Sequence, residues 1–111
     1  MANNGVSVET VLHALGDGKR RRIVEMLSQQ PHSVSYLAEQ LEISLTAVGQ
    51  HLQILEAAGL ARTEKTGRVR TASLETHGLN ALQVWIRERR TQWEVRLDQL
   101  GRLLAQPEED V

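Results

Sequence analysis

The stretch that decides the fold is Val34–Leu60, which reads VSYLAEQLEISLTAVGQHLQILEAAGL. It holds two groups of apolar residues at helical spacing, each with a serine near its start. Ser33 or Ser35 can cap the first helix, and Ser44 can cap the second. Gly59 fits the left-handed position that follows many helices. The stretch therefore predicts two short helices separated by a tight turn.

Two more helices are predicted before this stretch. Apolar residues at helical spacing indicate a first helix over about residues 7–15, which ends at Gly16. Asp17 is a plausible N-cap for a second helix, which closes before Pro31.

A β-hairpin and a long helix are predicted after it. Leu60–Thr63 and Val69–Leu74 are strand-like, and Gly67 offers the positive φ of a tight turn, so we expect a hairpin over about residues 60–74. A helix follows over about residues 77–105. It would be about 42 Å long, which is more than a small domain can cover. Its apolar stripe consists of Leu79, Leu82, Ile86, Trp93, Leu97, Leu100 and Leu104.

The composition is that of one ordinary folded domain. The chain has 111 residues, 41% of them hydrophobic and 24% charged, which argues against disorder throughout. We place the domain at residues 1–106 and expect the acidic tail at 107–111 to be flexible. The absence of cysteine excludes disulfides and thiolate metal sites. No membrane-spanning run or signal peptide is recognisable, so we expect a cytoplasmic protein without a membrane partner.

Positive charge is clustered although the net charge is only −1. The clusters lie at residues 19–22, 62–70 and 87–90. Local basic patches of this kind can contact phosphates even on a nearly neutral protein. In the cluster at residues 19–22, a phosphate contact by Arg20 and an ion pair within the chain for one of the arginines are both open.

The order of four helices, hairpin and long helix is that of a mainly α (α+β) winged helix-turn-helix. Val34–Leu60 resembles the ArsR family of bacterial repressors, whose pattern reads LA-x-x-L-x-[IV]-S-x-x-A-V-S-x-HL-x-x-L-x-x-x-GL. The segments 15–23, 62–68 and 85–100 also resemble that family, so the likeness covers about residues 10–104. Two positions depart from it: Gly18 replaces a proline, and Gly49 stands where serine is usual.

The second helix of the motif carries the candidate base-reading residues. The apolar residues Val48, Leu52 and Leu55 must face the core. The opposite face of the helix then carries Thr46, Gln50 and Gln53. Glutamine can bond adenine in the major groove, and threonine can contact a thymine methyl. The alternative is that these are simply solvated polar residues.

Other positions are candidates for phosphate contacts. Ser44 should first act as N-cap, and the helix N-terminus it caps favours anions. His51 can donate to a phosphate or support the helix pair, and both interpretations stay open. Gly49 either lets the DNA backbone approach closely or weakens one contact with it.

In the hairpin, the resemblance implies that the wing lies along DNA. Its candidate contacts are Lys65, Arg68 and Arg70, and the alternative is a solvated hairpin.

The resemblance implies a dimer surface built from the first and last helices. The residues expected there are Val11, Leu12, Trp93, Leu97, Leu100 and Leu104. We expect no metal site, no cofactor and no catalytic residues, because the histidines lie in separate elements and no catalytic motif is recognisable.

The sequence thus predicts a DNA-binding transcriptional regulator, a homodimeric repressor on an inverted-repeat operator in double-stranded DNA. A winged-helix interaction module that has lost DNA binding is the alternative. A repressor that also responds to an unknown small-molecule effector stays open.

Overall fold

The computed structural model describes residues 6–105, so the predicted acidic tail at 107–111 lies outside the described residues. Its elements are α1 (Val8–Ala14), α2 (Gly18–Leu27), β1 (His32–Ser33), α3 (Val34–Leu41), α4 (Leu45–Ala57), β2 (Ala61–Thr66), β3 (Val69–Leu74) and α5 (His77–Ala105). The predicted order of four helices, hairpin and long helix is confirmed.

Each of the first four helices begins at a side-chain cap. In every case a side-chain oxygen accepts a hydrogen bond from the backbone N–H three residues later, which satisfies one of the free donors of the first turn. The caps are Ser7, Asp17, Ser33 and Ser44. Ser33 rather than Ser35 therefore caps α3.

The helix-turn-helix is formed by α3 and α4. Glu42 ends α3 in the left-handed conformation, with φ 58°, and Ile43 N–H then donates to the Ala38 carbonyl at 3.1 Å. Both helices turn their apolar faces inward. The buried residues are Leu37, Ala38, Leu41, Val48, Leu52 and Leu55.

The hairpin belongs to a three-stranded antiparallel sheet in the order β1-β3-β2. Strand β2 continues to Thr66, which pairs with Val69, so the predicted end of the strand at Thr63 is too early. Gly67 has φ +63° at the first of the two turn positions, where a tight hairpin needs it. The two-residue strand β1, paired through His32 and Ser33, was not predicted.

The core is aliphatic and lies between the four short helices and the sheet. Its largest fully buried side chains are Ile23, Leu37, Leu55, Leu60, Val11 and Val48. The assignment of Val11 to the dimer surface is thereby corrected. Its side chain has no exposed area, because the short helix α1 turns it towards the core.

Only the beginning of α5 is covered by its own domain. Leu79 and Leu82 pack against the core, whereas every residue from 86 to 105 is exposed. Among residues 6–105, no helix has the length and apolar character needed to cross a membrane.

The end of α4 and the start of α5 meet through two glycines. The N–H of Leu60 donates to the Leu55 carbonyl and that of Gly59 to the Glu56 carbonyl, which is the predicted Schellman close. The Gly59 carbonyl then accepts the N–H of Gly78 at 2.8 Å. A Cβ on Gly78 would collide with the Ala58 carbonyl oxygen, so this approach requires glycine.

We expect Gly78→Ala to lower the free energy of unfolding by about 1–3 kcal/mol, because the added methyl forces two backbone segments apart. Gly49→Ala is the matched control. Its Cβ would meet no atom within 4 Å, so it should raise stability by up to about 1 kcal/mol through helix propensity. Urea denaturation of the two variants and the wild type measures both effects. A Gly78→Ala variant as stable as the wild type would contradict the interpretation.

Candidate nucleic-acid interface

The exposed face of α4 carries the predicted base-reading side chains. Thr46, Gln50 and Gln53 are all exposed, and none of them forms a hydrogen bond through its side chain within residues 6–105. Leu45, the first residue of α4, is also 58% exposed and was not among the predicted contacts. Leu45 lies on the side of α4 that carries Val48 and Leu52, but it is exposed at the helix start beside the hairpin, where an apolar side chain can contact a thymine methyl.

Two clefts lie beside the hairpin. One, of about 340 Å³, is lined by Gly49 and Gln53 of α4 and by Thr63 and Arg70 of the hairpin. The second, of about 510 Å³, shares Arg70 and lies between the start of α3, Leu45 and the hairpin residues Lys65 and Arg68. The structure therefore brings two α4 candidates, Gly49 and Gln53, and the three hairpin candidates to adjoining clefts.

The positive charges of the hairpin face one another. Lys65 is paired directly across the strands with Arg70, and Arg68 lies in the turn. Within residues 6–105, none of these three groups forms an ion pair. Like charges opposite each other destabilise a hairpin, so this pair favours an anionic partner.

Hydrogen bonds also connect the hairpin to α4. The carboxylate of Glu56 accepts both the backbone N–H and the hydroxyl of Thr63, at 3.1 Å each. Arg70 in turn donates to the Thr63 hydroxyl at 3.2 Å. The orientation of the basic hairpin relative to α4 therefore depends on Glu56.

His51 lies apart from the clefts and is half-buried beside α2. Its Nδ1 is 3.4 Å from Nη1 of Arg20, whose other nitrogens donate to main-chain carbonyls of α1. Arg20 forms no ion pair within residues 6–105. A contact between Arg20 and a phosphate stays a prediction. The pKa of Asp17 is lowered, chiefly because its carboxylate accepts a hydrogen bond from the backbone N–H of Arg20. This bond is stronger when the carboxylate is charged, so it stabilises the ionised form.

The candidate dimer residues other than Val11 are exposed. Their relative exposures are Leu12 44%, Trp93 59%, Leu97 49%, Leu100 50% and Leu104 76%. On α5, Arg90 pairs with Glu94, and Arg89 pairs with Glu88 and lies over the Trp85 ring.

No group of three His, Asp or Glu side chains within residues 6–105 is placed to hold a metal ion.

Comparison with known proteins identifies the family. The model of the bacterial regulatory proteins of the arsR family matches residues 17–63. The HTH-type transcriptional regulator Rv2034 of Mycobacterium tuberculosis is 42% identical over 77 residues, which is 69% of this chain and 72% of the relative. This chain belongs to the ArsR family.

Other transcriptional regulators are similar to this chain in structure or in sequence. An ArsR-like transcriptional regulator from Rhodococcus sp. RHA1 superposes with a TM-score of 0.73 and 29% identity, over 86% of this chain and 91% of that one. The transcriptional activator HlyU of Vibrio cholerae is 30% identical over 82 residues, covering 74% of this chain and 76% of the relative. The predicted winged helix-turn-helix is confirmed, and the family consists of regulators rather than enzymes.

Several residues of this ArsR-family interface were missed in the sequence. Leu45 is apolar and was therefore passed over, although the inward face of α4 does not need it. Glu56 and Thr63 are seven positions apart in different elements, so no periodic pattern relates them. Arg20 and His51 were both named as candidates, but their contact was not predicted because they are 31 positions apart.

Glu56→Ala should loosen the hairpin. The Thr63 N–H points away from the partner strand and would lose its acceptor, so its hydrogen exchange should accelerate about three- to fivefold. NMR-detected amide exchange measures this directly. Glu39→Ala, on the exposed side of α3, is the control and should leave Thr63 unchanged. Equal exchange in wild type and Glu56→Ala would show that the carboxylate does not hold the hairpin.

Proposed function

We propose that this ArsR-family regulator is a homodimeric repressor that binds an inverted-repeat operator through α4 and the hairpin wing, residues 60–74. The observation that carries the proposal is the cross-strand pair of Lys65 and Arg70, which no acid neutralises within residues 6–105 and which lines a cleft beside α4. A phosphate backbone placed along the wing would supply the missing negative charge.

The assignment of roles follows the geometry. Lys65, Arg68 and Arg70 would contact phosphates and position the protein without reading sequence. Gln50 and Gln53 would read base edges, with Thr46 and Leu45 beside them at the N-terminal end of α4. Ser44 caps α4, where unpaired backbone N–H groups attract a phosphate. The space beside Gly49, where a Cβ would meet no atom within 4 Å, would let the DNA backbone approach closely.

The dimer supplies the second half of the operator contact. The uncovered part of α5, together with Leu12, would pack across a two-fold axis, so that two α4 helices enter major grooves about 34 Å apart. Repression would follow from occupation of the promoter. The relative HlyU is named as an activator, so reporter assays must decide the direction of regulation. Action on bacterial chromosomal DNA would place the protein in the cytoplasm.

The first test is selection of a preferred duplex from random DNA, followed by fluorescence anisotropy on the selected and a scrambled duplex at two salt concentrations. We expect Gln50→Ala to weaken binding to the selected duplex by about 1–3 kcal/mol and to leave the scrambled duplex nearly unaffected. Equal losses on both would remove the base-reading role of Gln50. Absence of binding to every duplex would favour the interaction-module alternative.

The dimer surface is tested by a matched pair on α5. Leu97 and Val95 are 49% and 50% exposed, but they lie about 200° apart around the helix. We expect Leu97→Glu to dissociate the dimer, because it buries a charge, and Val95→Glu to leave it intact. Sedimentation equilibrium measures the association constant of each variant. The opposite result would move the interface to the other face of α5.

A further inference from the structure

The side chain of Arg20 joins the end of α1 to the middle of α4. Its Nε donates to the Ala14 carbonyl at 2.7 Å, and its Nη2 donates to the His13 carbonyl at 3.2 Å. Its Nη1 lies 3.4 Å from Nδ1 of His51. One guanidinium therefore contacts the last turn of α1 and α4 at the same time.

This arrangement determines where the imidazole carries its hydrogen. A guanidinium offers only donors, so Nδ1 of His51 must accept, and the neutral ring carries its N–H on Nε2. Within residues 6–105, Nε2 forms no hydrogen bond. His51 directly follows Gln50 on α4, and its remaining N–H is a donor suited to a phosphate oxygen.

We propose that Arg20 is a positioning residue for DNA binding: it holds His51 with the Nε2–H available to a phosphate and couples α1 to α4. This inference rests on the proposed DNA-binding function. Leu12, which is 44% exposed on the proposed dimer surface, immediately precedes the His13 carbonyl that Arg20 binds. A displacement of α1 on dimerisation would thus reach His51 through a single side chain.

A purely structural role for Arg20 would consist of capping the carbonyls of α1. The chain offers a control for that role, since Nη1 of Arg21 donates to the Leu15 carbonyl at 2.7 Å and Arg21 forms no hydrogen bond or ion pair with α4. Arg21→Gln therefore removes a comparable bond at the same helix end and leaves His51 undisturbed.

The first measurement needs no DNA. Long-range ¹H–¹⁵N correlation of the imidazole of His51 reports which ring nitrogen is protonated. A neutral imidazole already favours Nε2–H without a partner, so the population of the minor Nδ1–H tautomer is the quantity to follow. We expect that minor population to be lower in the wild type and in Arg21→Gln than in Arg20→Gln. Arg20→Lys retains a positive charge for the α1 carbonyls but cannot span the three acceptors, so it should behave like Arg20→Gln in a folded chain. Tautomer populations that are the same in the wild type and in both Arg20 variants would overturn the proposal.

The second measurement is affinity for the selected duplex. Arg20→Gln should weaken binding about fivefold, which corresponds to one hydrogen bond, and Arg21→Gln by less than about twofold. In a His51→Gln background, Arg20→Gln should cause no further loss, because both changes remove the same contact. Lys65→Ala, which removes a charged phosphate contact, should reduce the magnitude of the log–log salt slope by about one.

The outcomes separate the two levels of the proposal. Equal losses in Arg20→Gln and Arg21→Gln, or additive losses with His51→Gln, would overturn the positioning role while DNA binding stands. A wild-type chain that binds no duplex would overturn the proposed function, and the role of Arg20 in DNA binding with it.

Discussion

The contact between Gly59 and Gly78 is the constraint on which the rest of this structure depends. At this point α4 ends, the chain turns into β2, and α5 starts beside it, with the Gly59 carbonyl accepting the Gly78 N–H at 2.8 Å. Side chains would keep these backbones apart, and the φ of +69° at Gly59 favours glycine as well. Three elements with different roles are therefore fixed to one another by main-chain contacts.

This junction matters because a regulator of this kind must relate two surfaces to each other. The exposed face of α4 is the candidate reader of bases, and the uncovered part of α5 is the candidate dimer surface. A main-chain hydrogen bond between glycines has few alternative geometries, unlike a contact between long side chains. The spacing of two α4 helices in a dimer would then be set by the position along α5 at which the partner binds.

Local signals made most of the fold predictable from the sequence. The caps at Asp17 and Ser44, the close at Gly59 and the extent of α5 all depend on residues within a few positions of each other. The two-residue strand β1 is too short for periodicity, and it exists only because β3 lies beside it. Val11 was misplaced because spacing identifies the apolar face of α1 without saying what covers it. The candidate residues of α4 and of the wing were predicted from the sequence pattern and from the family resemblance. The hydrogen bonds between Glu56 and Thr63 are visible only in the three-dimensional structure.

The exposed part of α5 affects how quickly the protein is degraded in a cell. From residue 86 to 105 the helix keeps no residue buried, and Leu103 and Leu104 are 65% and 76% exposed. A chain without a partner presents this stripe to proteases and chaperones, and association by mass action hides it. Turnover would then slow as the protein accumulates, so that abundance and lifetime reinforce each other.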